Sequence, residues 1–92
     1  MIKNKLKKQI KDLERILNKI ESIINHNNRY ILDDILLSHI INQRSKIELA
    51  LETSKYALNN SDISLLESIY NTNNGLEIDI LEMQLDNYIN LL

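Results

Sequence analysis

The chain has 92 residues, 13 acidic and 11 basic side chains, a net charge of −2, one glycine and no proline, cysteine or tryptophan. That length suits one small domain close to the size at which a core alone becomes marginal. The missing cysteines exclude disulfides and thiolate metal sites. No apolar run approaches membrane-spanning length, so no membrane partner is expected and a cytoplasmic or organelle-matrix setting is. The lysine-rich start lacks the apolar core and cleavage site of a secretory signal, and Asp12 and Glu14 oppose a transit peptide. Abundant Ile, Leu, Asn and Lys without valine is the bias of an AT-rich genome.

The first expected helix covers 2–25. Ile2, Leu6, Ile10, Leu13, Leu17, Ile20 and Ile24 recur at steps of three and four, which gives one apolar seam. The opposite face is cationic. Residues 1–19 carry seven cations (Lys3, Lys5, Lys7, Lys8, Lys11, Arg15, Lys19) against Asp12 and Glu14, a net +5. Lys3, Lys7, Lys8 and Lys11 are the candidate phosphate or RNA contacts. The plainer reading is a solvated face that complements the acidic C-terminal helix, since no aromatic residues interleave with these lysines. Spacing gives little ion-pair support along this helix.

Asn25-His26-Asn27-Asn28 is the first expected break, followed by Tyr30-Ile31-Leu32. Asp33 or Asp34 can cap a second helix over 34–58. Its packing face is Ile35, Leu36, Ile40, Ile47, Leu51 and Leu58, with Ala50 and Ala57 allowing close approach. Leu37, Ile41 and Leu49 widen the face, so contact from more than one side is expected. Asn59-Asn60-Ser61 is the second break. Ser61 caps a third helix over 62–70, or Ser64 with Glu67 forms a capping box that starts it later. Asn71-Thr72-Asn73-Asn74-Gly75 is the third break, with Gly75 suited to a left-handed conformation. The last helix covers 76–92 and buries Ile78, Leu81, Leu85, Tyr88 or Ile89, and Leu92. The fold class is therefore all-α: a single domain over 1–92, an antiparallel bundle of about four helices.

Chemistry is sparse. His26, and His39 within two turns of Asp33 and Asp34, are the only histidines, and no helical ligand-pair spacing is present, so no metal site or cofactor is expected. Ser22, Ser38, Ser45 and Ser54 lack a strand-turn-helix elbow, and Ser38 beside His39 is adjacency without facing geometry. One glycine cannot build a phosphate-cradling loop, so no catalytic residues are assigned.

Asn42-Gln43-Arg44 is a polar group in mid-helix, where asparagine has no propensity advantage. Asn42-Gln43-Arg44-Ser45 matches an Asn-x-Arg-His pattern at its asparagine and arginine. The long stripe of Leu49, Ala50, Leu51, Ala57 and Leu58 follows, then Gly75-Leu76-Glu77-Ile78, then Leu81, Leu85, Leu91 and Leu92. In this order the chain resembles the C-terminal helical segment of the tRNA-uridine-modifying GTPases. Residues 1–26 then resemble the last helix of the inserted GTPase domain. Ser45 replaces the histidine, and the family's Gly-Glu-Ile-Thr-Gly run, terminal cysteine motif, guanine-nucleotide motifs and folate-binding domain are missing. The resemblance implies a non-catalytic helical module acting in tRNA wobble-uridine modification, at most part of a GTP-hydrolysing enzyme. Asn42 and Arg44 are its candidate interdomain contacts. It further implies apolar faces left uncovered on the second and fourth helices, and a homodimer or higher assembly in which they meet. The alternative is a stand-alone helical-bundle module that binds another protein, of the phage-inhibitor or bacteriocin-immunity kind, through an apolar face with a charged rim. A tRNA contact through the basic first helix is the third expectation.

Overall fold

The computed structural model describes residues 1–26 and 32–92. Among the described residues there are four helices and no strand: α1 (Ile2–His26), α2 (Asp34–Asn60), α3 (Ile63–Asn74) and α4 (Ile78–Leu91). The all-α bundle expected from periodicity is present. Of the expected first break, Asn25 and His26 belong to α1, while Asn27 and Asn28, like Tyr30 and Ile31, lie outside the described residues.

The four helices form three rods. α2 runs back along α1, bringing Arg44 to Glu21 and Ser61 to Lys3. α3 and α4 then run end to end in the direction of α1. Gln9 meets Asn74, Arg15 meets Glu82, and Lys19 meets Asp86. The result is elongated, 46 × 18 × 17 Å. α1 packs on all three other helices and α2 packs on α3, whereas α2 and α4 have little direct packing.

Because α1 is gripped from two sides, its buried stripe is wider than the single seam read from spacing. Leu6, Leu13 and Ile20 lie at its centre, with Ile10, Ile16 and Ile23 also buried. Ile2, Leu17 and Ile24 are half-buried at the edge. On α2, Ile40, Ile47 and Leu51 are buried as expected, with Ala50 and Ala57. Leu36 and Leu58 only half enter the core. Ile35 was assigned to this face but is 82% exposed, since it sits on the side of the first turn turned away from α1. Leu81 and Leu85 anchor α4, while Leu92, also assigned to its buried face, lies exposed past the last turn.

The helix ends explain the boundary differences. Asp33 caps α2, its carboxylate accepting from the Leu36 amide at 2.8 Å. α2 closes with Ser61 in the left-handed region (φ 57°). Ser61 is thereby used as a C-terminal residue, and Asp62, not Ser61 or Ser64, caps α3 by accepting from the Ser64 and Leu65 amides. Gly75 is right-handed (φ −69°), contrary to expectation. The left-handed residue at the α3–α4 step is Glu77 (φ 51°), and its side chain makes no capping bond.

Candidate interaction surface

Three features on this scaffold carry polar or exposed apolar groups that the core does not require. The first is buried. Gln9 on α1, Ser54 on α2 and Asn73 on α3 meet where the three rods adjoin. Asn73 Nδ2 donates to Gln9 Oε1 (3.1 Å) and Ser54 Oγ (2.8 Å). Gln9 Nε2 donates to the Tyr70 carbonyl (3.0 Å) and Asn74 Oδ1 (2.9 Å). Ser54 Oγ donates to the Ala50 carbonyl at 2.6 Å. Among the described residues no buried side-chain polar atom is left without a partner. A network of this kind fixes register, and the amide protons of Gln9 and Asn73 and the hydroxyl proton of Ser54 are all used within it.

Sequence reasoning gave Gln9 no part, placed Ser54 among serines without a role, and put Asn73 in a break. A signal was nevertheless present. Gln9 is seven residues before Ile16, Ser54 seven after Ile47, and Asn73 seven after Leu66, each in phase with a buried apolar side chain. The same contact extends α3 beyond Tyr70. Asn73 is held in the core and Thr72 Oγ1 donates to the Ser68 carbonyl at 2.9 Å, so this asparagine-rich tract stays helical.

The second feature is electrostatic. Glu82 of α4 accepts from Arg15 Nε at 2.7 Å and lies 2.8 Å from Lys19 Nζ, which also reaches Asp86 at 2.8 Å. Arg15 pairs with Asp12 within α1 as well, giving that helix an internal ion pair that was not foreseen. The hydrogen bond from Arg15, then that from Lys19, holds the Glu82 carboxyl at about 2, well below its ordinary value. Arg15 and Lys19 are correspondingly raised, Arg15 mainly by Glu82 and Lys19 mainly by Asp86. The cationic C-terminal half of α1 is thus neutralised by α4.

The N-terminal half is not. Lys3 donates to Ser61 Oγ at 2.8 Å, and Lys5 lies 5.9 Å from the Tyr70 ring centre. Lys7, Lys8 and Lys11 are exposed, and no acidic side chain is in ion-pair reach of them among the described residues.

The third feature is apolar and lies on the outer side of α2. Leu49 (61%) and Tyr56 (63%) are largely exposed and two turns apart, so they stand on one line of the helix with Ile35 and Asn42. Beside Leu49, a groove of about 280 Å³ opens between α2 and α3, lined by Ala50, Thr53, Ile69, Leu76 and the Lys46 stem. On α4, Ile80, Met83 and Leu91 are exposed as well. Asn42 stands in the middle of the α2 line, whereas Arg44 turns inward to Glu21 (3.5 Å) and Glu48 (3.8 Å). The two polar residues picked out together therefore serve different sides of the helix.

Among the described residues no three His, Asp or Glu side chains converge as a metal set, and no helix is long and apolar enough to cross a membrane. His26 Nδ1 lies 2.8 Å from the Ser22 carbonyl. No protein-family model, no curated protein and no solved structure matches this chain.

Proposed function

We propose that this protein is a non-catalytic helical module that works by holding another protein chain against the outer face of α2. The observation that carries this reading is the row of exposed Leu49 and Tyr56 beside the apolar α2–α3 groove. Grouped apolar surface of this kind is characteristic of contact sites on soluble helical proteins. The rim is charged, with Lys46, Glu48, Glu52 and Lys55 all exposed around the row. An amphipathic helix laid in such a groove would bury its anchors and leave its polar side in water.

The resemblance to the tRNA-uridine-modifying GTPases supplies one setting for this contact, support of a GTPase domain during wobble-uridine modification. Asn42, exposed on the contact row, suits that role; Arg44, engaged with α1, does not. A stand-alone inhibitor or immunity-type protein would use the same face. A tRNA contact would fall to Lys7, Lys8 and Lys11, and would weaken steeply with salt.

A photo-crosslinking side chain at position 49, compared with one at position 8 on α1, tests the reading in cells that carry the gene. Crosslinks to protein from position 49 and none from position 8 are expected. Crosslinks to RNA from position 8, with position 49 silent, would replace this proposal with the nucleic-acid one.

A further inference from the structure

Resting on that reading, we infer that the chain on the outer face of α2 is a second copy of this protein, antiparallel and centred on Leu49. A two-fold axis passing beside Leu49 brings together residues equally far from it on opposite sides. Each such pairing on the row is complementary. Leu49 meets Leu49. Lys46, three residues before, comes level with Glu52 of the second copy, three residues after. Asn42 comes level with Tyr56, so the phenol hydroxyl can donate to the amide oxygen. Lys46, Glu52 and Asn42 are themselves exposed and have no other ion-pair or side-chain hydrogen-bond partner among the described residues.

The register is specific. Sliding the second copy by seven residues one way sets Leu49 against Asn42 and Glu52 against His39. Sliding it the other way sets Leu49 against Tyr56 but carries Asn42 past the end of α2 and sets Lys46 against Asn59. Both shifts remove the two Lys46–Glu52 pairs. Asn42 therefore acts as the polar residue that selects one alignment in an otherwise apolar row.

The strip is one helix wide and, over residues 38–60 where the two α2 helices overlap, about 35 Å long. That places the contact at the low end of specific interfaces, below about 1,200 Å² in total. A reversible dimer with a dissociation constant on the order of micromolar is expected.

The chain contains no cysteine, so a single introduced thiol reports without ambiguity. The L49C variant should form a disulfide-linked dimer under mild oxidation, while the K8C variant should not. In sedimentation equilibrium, K46E and E52K should each weaken the dimer by on the order of tenfold, since each turns two attractions into two repulsions. The K46E/E52K double variant should return to near the native value. A chain that stays monomeric to about 1 mM, or single and double variants that behave alike, would overturn the antiparallel dimer. Failure of the dimer is distinguishable from failure of the docking surface itself. Crosslinks from position 49 to a different protein would refute the second copy and keep the surface. Crosslinks from neither would remove both.

Discussion

Asn73 shows how a residue that favours turns comes to sit inside a helix. Two hydrogen bonds, to Gln9 and to Ser54, hold its amide at the meeting point of three rods. Replacing it with alanine strips a partner from each of two buried groups. The Asn73→Ala variant is expected to lose about 1–3 kcal/mol in urea unfolding. Replacing Gln9, Ser54 and Asn73 together with apolar residues of similar size is expected to be close to neutral, because nothing buried is then left unpaired. If the triple replacement proves more damaging than Asn73→Ala alone, the network contributes stability beyond satisfying itself. Glu77 is the opposite case, a residue in the left-handed region (φ 51°) without a compensating side-chain bond. Glu77→Gly is expected to raise stability by about 0.5–1 kcal/mol, measured by the same unfolding curve. Of the two, only Asn73 left a trace in the sequence, its seven-residue phase with Leu66. Composition pointed to Gly75 because glycine adopts that conformation most easily, yet the turn uses 3.0–3.4 Å backbone bonds from Leu76 and Glu77 to the end of α3 and places the special torsion two residues later.

At the scale of the helices, period located the four segments and the centre of each stripe, because burial of one face imposes the spacing on the sequence. It could not set how far each stripe extends around its helix, since that depends on how many neighbours pack there. α1 touches every other helix, so Ile16, Ile23 and Gln9 join its buried side. Among the described residues α2 meets no helix on its outer side, so Ile35 and Leu49 are left in solvent. The charge segregation along the chain was legible too, and half of it is resolved by pairing α1 with α4. That pairing has a pH consequence. Glu82 is held at about 2, so its stabilising contribution is complete above its ordinary value of 4.5 and is lost as pH falls from there towards 2. The native chain is expected to lose melting temperature across that window. Glu82→Gln, which lacks the group, should start lower at pH 7 and fall less. Equal slopes for the two proteins between pH 4.5 and 2.5 would show that the α1–α4 pairs do not stabilise the fold. The raised Lys19 acts at the other extreme, its contribution being present below about 10.5 and lost as pH rises beyond its folded value.

Taken whole, the molecule separates what holds it together from what it offers to others. The core and its polar network lie along α1, while the exposed apolar side chains stand on α2, α3 and α4, away from it. Uncovered apolar side chains on the second and fourth helices were anticipated from the sequence, and side chains of that kind are exposed on both. Which chain covers them depends on matching surfaces, and only the α2 row with its flanking Lys46 and Glu52 provides an internal clue. Because Leu49 and Tyr56 are exposed, replacing them should leave folding intact while removing the contact. The L49E/Y56E variant, compared with the native chain for both urea unfolding and photo-crosslinking from position 53 beside the row, measures this separation directly. The expected result is unfolding free energy within about 0.5 kcal/mol of native and crosslinked protein reduced to background. Native-level crosslinking, or a loss of several kcal/mol in stability, would contradict it.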